Sequence, residues 1–220
     1  MKQFIQFGEK AEGYPIPVLN EREIRAAAGI LFLGTFISLG IIFASNNFVF
    51  VKYFSTFFLI DLLIRVLINP RYSPTLILGR WIVRNQTPEY VAAKQKKFAW
   101  TIGIVLASLM FVFLVIVNAY SIITGITCLV CLLFLFFEAS FGICLGCMVY
   151  PLFFKDKTEY CPGEVCDKKA RQPIQKIAAE QVVVLTLFIA AIIFIISISG
   201  DYYSRHPHNL FPKTTTIKNK

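Results

Sequence analysis

The sequence predicts an all-α integral membrane protein with five transmembrane helices: two tight hairpins forming a four-helix core, one extra C-terminal span, and a short interfacial amphipathic helix. Three observations carry that prediction. Apolar residues make up 56% of the 220 positions, 22 of them phenylalanine, against roughly 45–50% apolar residues in soluble domains. Only 16% are charged, and they lie in blocks between the apolar runs. Those runs approach the roughly 20 residues that a helix needs to cross the hydrocarbon core.

Residues 1–25 hold four basic and four acidic side chains without a short apolar core. They read as a cytoplasmic segment and not as a cleavable signal, so the first span is expected to be retained. The predicted membrane core runs over 26–153. Spans at 26–45 and 48–68 are separated only by a turn at Asn46-Asn47, and spans at 98–118 and 121–150 by a turn near 118–121. The fourth run, 121–150, exceeds a bilayer crossing and is expected to project beyond it or to break at its glycines. A 154–180 cysteine loop, a fifth span at 181–200 and a tail at 201–220 complete the chain.

Orientation follows from the basic residues. Four lie in the N-terminal segment, six in the 69–97 loop and six in 155–180, all on one face, against Lys52 and four tail residues on the other. The positive-inside rule places the first face in the cytoplasm and the tail outside. The net charge of +9 is read the same way, as orienting the chain in a lipid bilayer, with no nucleic-acid partner. Within 69–97, Ser73 and Pro74 supply a helix start ahead of Leu76, Ile77, Trp81 and Ile82. The expected short helix lies at the cytoplasmic interface, with Trp81 among headgroups and Arg80 and Arg84 near lipid phosphates.

The sharpest chemical feature is Cys144 and Cys147 in "FEASFGICLGCMVYP". On a continuous helix residues three apart share a face, so the two sulfurs could form a disulfide or share a soft metal. Lys155 and Lys157 would favour the reactive thiolate. Cys161 and Cys166 follow in a polar loop, where Pro162-Gly163 should turn the thiols toward each other. The set of four reads as two dithiols passing electrons or sulfur by exchange, or as a four-thiolate zinc site. Cys128 and Cys131 share a helix face with Glu138, Gly142 and Gly146 and read as packing residues. Gly142 and Gly146 are expected to form a small-residue seam against Ala99, Gly103 and Ala107. If the helix stays regular, Glu138 points away from the cysteine pair.

Ionisable groups inside spans are costly and therefore candidates for function. Asp61 and Arg65 lie one turn apart, and with Glu138 they form a candidate intramembrane polar pocket. At 1.5 Å per residue, Asp61 lies roughly 20 Å and Glu138 roughly 26 Å from the outer turns, in the inner half of the bilayer. The plainer alternative is an Asp61–Arg65 pair that neutralises itself and a Glu138 bonded to a neighbouring helix. His206 and His208 are expected in a solvated tail. No phosphate-binding loop, hydrolase nucleophile motif or haem-attachment sequence occurs, so the sequence assigns no enzyme class.

Taken as an ordered set, "DLLIR", "NPRYSP", "KKFAWTIG" and "FEASFGICLGCMVY" resemble a bacterial family of small membrane proteins, the domain of unknown function 4395. The resemblance covers roughly residues 20–153. It implies a four-helix core in a bacterial cytoplasmic membrane, with Asp61, Arg65, Lys97, Phe98, Glu138, Cys144, Gly146 and Cys147 at motif positions. It also implies an association with thioredoxin-like and sulfurtransferase proteins. The expected function is thiol–disulfide or sulfur handling by Cys144 and Cys147 at the cytoplasmic membrane face, with Cys161 and Cys166 as a mobile second pair. The alternatives are a transporter or channel for a small solute, possibly sulfur-containing, along Asp61, Arg65 and Glu138, and a scaffold whose cysteines hold zinc.

Overall fold

Long apolar runs bounded by polar caps fold as long helices, and the computed structural model, which describes residues 7–153 and 177–210, is mostly helical. A short strand β1 (Val18–Asn20) leads into α1 (Glu21–Ser45). Asn20 caps α1 by accepting the N–H of Arg22 at 3.2 Å, and Glu21 and Glu23 in its first turn complement the helix dipole. Asn46, in the left-handed region at φ 52°, ends it. Helix α2 (Val49–Leu63) continues as a π-helical turn over Ile64–Ile68. After a 3₁₀ turn at Pro70–Tyr72 comes α3 (Pro74–Ile82), capped by Ser73. Strand β2 (Tyr90–Ala92) pairs antiparallel with β1, Leu19 opposite Val91.

Helix α4 (Ala93–Phe111) also ends in a π-helical turn, Val112–Ile116, followed by β3 (Ala119–Tyr120). Helix α5 (Ile122–Phe136) starts at a reciprocal cap between Ser121 and Thr124. It runs through a third π-helical turn, Phe137–Phe141, and stops at Gly142. A new helix, α6 (Leu145–Phe153), follows. Helix α7 (Ala179–Ser204) leads to β4 (His208–Asn209), which pairs parallel with β3.

Four of these helices, over Glu21–Ser45, Ala93–Ile116, Ile122–Phe141 and Ala179–Ser204, are long and apolar enough to cross a membrane. The segment from Val49 to Ile68 is equally long but carries Lys52, Asp61 and Arg65. The outer faces are apolar, with Phe43 86% exposed and Ile198 66% exposed, as lipid contact requires and water does not favour. The inner faces interlock closely. A Cβ on Gly34 would lie 2.1 Å from the Phe54 ring, and one on Gly79 would lie 2.6 Å from the Glu23 carbonyl, so α2 and α3 press directly onto α1.

Several expectations are corrected. The fold is not purely helical: two short strand pairs stitch its ends, too brief to leave a two-residue period. Arg80 does not reach toward headgroups. It is buried against Glu9 and Glu23, both at 3.1 Å, while Trp81 is exposed. Burial opposes the Arg80 charge, but the two carboxylates outweigh it and hold the guanidinium above its ordinary pKa. The residues around the histidines are not a free tail. Backbone N–H of His208 donates to Asn118 at 2.9 Å and that of Leu210 to Tyr120 at 3.3 Å, and His206 packs edge-on against Phe48. Lys52 is buried, and its ammonium donates to Asn118 at 2.7 Å and to the carbonyls of Tyr203 and Arg205. It closes the C-terminal end of α7.

Candidate functional site

The polar end of the bundle lies where the N-terminal segment, the 69–97 connection and the break after α5 meet. Asp61 and Arg65 pair at 2.8 Å, as their one-turn spacing allows. Asp61 also accepts from Ser73 Oγ at 2.8 Å, Thr75 N–H at 3.0 Å and Thr75 Oγ1 at 2.7 Å. Both members are buried, and the Ser73–Thr75 turn completes their hydrogen bonding. The Arg65 guanidinium lies 5.1 Å from the Trp100 ring centroid, within cation–π range.

Glu138 is held by a residue that sequence reasoning treated only as a loop charge. Lys96 donates to Glu138 at 2.9 Å and pairs with Glu21 at 2.8 Å, so one ammonium ties the start of α1 to the end of α5. Beside it, Gly142 adopts φ +68°, and a Cβ there would meet the Arg25 guanidinium. Glycine enters this backbone region at no steric cost.

That termination changes the geometry of the cysteine pair. The two cysteines are not on one continuous helix with Glu138, because Ile143 and Cys144 lie outside the helices and Leu145 begins a new one. Cys144 stands at the N-terminal edge of α6, its carbonyl accepting the Met148 N–H at 3.1 Å. Its sulfur accepts the backbone N–H of Cys147 at 3.3 Å, and the Cys147 thiol donates to it across 2.7 Å. The neighbouring Cys147 thiol and burial push the Cys144 thiol above its ordinary pKa, and the nearby Lys96 ammonium only partly opposes them. Both cysteines are partly exposed and unbridged.

The expected glycine seam is likewise divided. Gly146 alone packs on Ala99, whereas Gly103 faces Leu62. Cys128 and Cys131 are buried in the packing of α5. Phe98 stacks edge-on against Tyr150 of α6, and Lys97 lies 5.1 Å from the Phe7 ring.

A small cleft, partly open to its surroundings, joins these features. Arg65, Trp100, Glu138 and Cys144 border one part of it, and Leu31, Phe58, Leu62, Leu106 and Phe134 continue it along the helices. Asp61 does not line it. Cys161 and Cys166 lie outside the described residues, and with them the second dithiol and the four-thiolate zinc alternative. Among the described residues no group of three or more His, Cys, Asp or Glu side chains is arranged to hold a metal.

The family model described as Domain of unknown function (DUF4395) matches residues 19–155. The chain belongs to this family. The matched segment holds the bundle from β1 to α6, including the cleft and the cysteine pair, and leaves α7 outside. No curated protein and no solved structure matches the chain.

Proposed function

We propose that this member of the family is a thiol–disulfide or sulfur-handling protein of a bacterial cytoplasmic membrane, acting through Cys144 and Cys147. Val49–Ile68 forms the fifth crossing, its charges satisfied inside the bundle, and α3 lies at the cytoplasmic interface with Trp81 in the headgroup region. The N-terminus is cytoplasmic and the C-terminal residues are outside. The observation that carries the reading is the Cys144 sulfur at the start of α6, receiving the Cys147 N–H with the second thiol 2.7 Å away.

In the exchange, Cys144 gives up its proton as its sulfur attacks the disulfide of a thioredoxin-like or sulfurtransferase partner. A mixed disulfide forms and one partner sulfur leaves as thiolate, taking up a proton. Cys147 then attacks Cys144 and releases the second partner sulfur. The partner gains two electrons and two protons, and the Cys144–Cys147 pair becomes a disulfide. Cys144 is the attacking sulfur because it borders the cleft and accepts the helix-start N–H.

Cysteine-resolved alkylation in intact cells tests this, using permeant and impermeant maleimides with and without prior reduction. Partial labelling of Cys144 and Cys147 that becomes complete on reduction, by the permeant reagent alone, is expected. Cys147→Ser should accumulate a mixed disulfide through Cys144. Fully reduced cysteines in every sample, with no trapping in either single Cys→Ser variant, would sink the proposal.

A second reading, passage of a small solute, draws support from Arg65 and Glu138 bordering one cleft. It predicts uptake into vesicles that depends on Arg65 and survives Cys144→Ser.

A further inference from the structure

Attack by Cys144 requires an acceptor for its proton, and the end of α5 supplies one. Glu138 borders the same cleft as Cys144, and among the described residues it is the one carboxylate that does. Its charge and that of Lys96 both act on the Cys144 thiol. Lys96 holds the Glu138 carboxylate by one oxygen, Oε1, at 2.9 Å, and the same ammonium serves Glu21 at 2.8 Å. Two carboxylates thus share one lysine. Glu21 has Arg25 as a further cation at 3.8 Å, so Glu138 is the less neutralised of the two. Its side chain is also 14% exposed, against 7% for Glu21. The cleft has a volume of about 60 Å³, room for a few waters at about 10–15 Å³ each and too little for a substrate. The titratable and charged groups around the sulfur are Cys147 on α6, Lys96 on α4, Glu21 and Arg25 on α1, and Arg65 beyond α2. Arg65 is already committed to Asp61 at 2.8 Å.

We propose that Glu138, oriented by Lys96, accepts the Cys144 proton through water in the cleft as the sulfur attacks. The inference rests on the thiol-exchange reading and names the residue that moves its proton. The Cys144 S–H bond breaks, an S–S bond to the partner forms, and the partner's own S–S bond breaks. The proton reaches the Glu138 carboxylate and then passes to the departing partner thiolate, which restores Glu138. Attack by Cys147 on Cys144 releases the second partner sulfur, which takes the Cys147 proton. A partner dithiol of lower reduction potential drives the same exchange in reverse and returns both cysteines to the thiol state. Burial and the Cys147 thiol hold the proton on Cys144, so at neutral pH a neighbouring base does what the bulk thiolate population does not. Lys96 anchors the carboxylate and places a positive charge beside the sulfur as it ionises.

The test uses full-length reduced protein in detergent, with dithiodipyridine, a neutral disulfide, as the probe. Formation of the Cys144–Cys147 disulfide is followed by mass spectrometry from about pH 6 to pH 8. In wild type the rate should be nearly level across this range. In Glu138→Gln it should climb about tenfold per pH unit with the thiolate population, and near pH 7 it should be about a hundredfold slower than wild type. Glu138→Asp, which keeps the carboxylate, should recover part of the rate. A purely electrostatic Glu138 gives the opposite sign: its charge opposes the Cys144 thiolate, so removing it would speed the reaction. Glu138→Gln at or above the wild-type rate therefore overturns the proposal. So does a wild-type rate that rises about tenfold per pH unit throughout, a result that needs no variant to fold. Either of these outcomes leaves the thiol-exchange reading standing. Failure of wild type to form the Cys144–Cys147 disulfide overturns that reading and the proposal with it.

Discussion

Gly146 and Ala99 stand so close that a Cβ built on the glycine falls 2.7 Å from the Ala99 Cβ and 2.9 Å from its Cα. This contact seats α6 on α4 and thereby sets where the cysteine pair lies against Trp100 and Arg65. Backbone this near to backbone leaves no room for a side chain to rotate away, so a substitution must move a helix.

Gly146→Val is therefore expected to lower stability by about 1–3 kcal/mol, the usual cost of overpacking. Thermal unfolding in detergent, followed by helical circular dichroism, reads the loss. Cys144 should alkylate faster in the same variant, because its helix no longer sits against α4.

Gly142→Ala tests the helix break. An L-residue held in the left-handed region costs about 1–2 kcal/mol. The variant should melt earlier, and the share of Cys144 and Cys147 recovered as an intramolecular disulfide under mild oxidation should fall.

The buried pair at Asp61 and Arg65 gives a two-step prediction. Asp61→Asn leaves Arg65 charged and uncompensated, with an expected loss of about 3–5 kcal/mol. Asp61→Asn combined with Arg65→Gln should recover much of that loss. A double-mutant cycle on thermal stability measures the coupling.

Lys52→Met removes the donor that closes α7 and leaves the Tyr203 and Arg205 carbonyls and the Asn118 side chain short of a partner. A cost of about 1–3 kcal/mol is expected. Hydrogen exchange should rise over 203–210 and stay close to wild type at the start of α1, on the opposite end of the bundle.

Hydropathy revealed the apolar helices because a bilayer demands long uncharged runs, and the caps at Ser73 and Asn46 were readable as single residues. The charges were harder. Lys52, Arg80 and Lys96 counted in the sequence as orienting or headgroup-seeking residues, yet all three are buried. Their partners are remote in sequence: Lys96 meets Glu138 across 42 positions and Lys52 meets Asn118 across 66. No local spacing encodes such pairs. The same limit hid the shared cleft, since a regular-helix wheel turns Glu138 away from Cys144 and only the π-helical turn and Gly142 bring both to one space.

Helix α7 is fastened at two points. At one end Gln181 donates to the Arg71 carbonyl at 2.9 Å and Glu180 pairs with Arg71 at 3.1 Å. At the other, Tyr203 bonds Thr56 at 3.0 Å and stacks on Tyr53. Between them its most apolar stretch has no buried residue. A rod pinned at both tips, with Phe188 against Phe57 as a ring contact along its shaft, takes its tilt chiefly from the separation of its moorings. Changes in bilayer thickness would then pull on the Arg71 turn and on the two hairpin tips together. One of those two moorings stands next to the Ser73–Thr75 turn that holds Asp61.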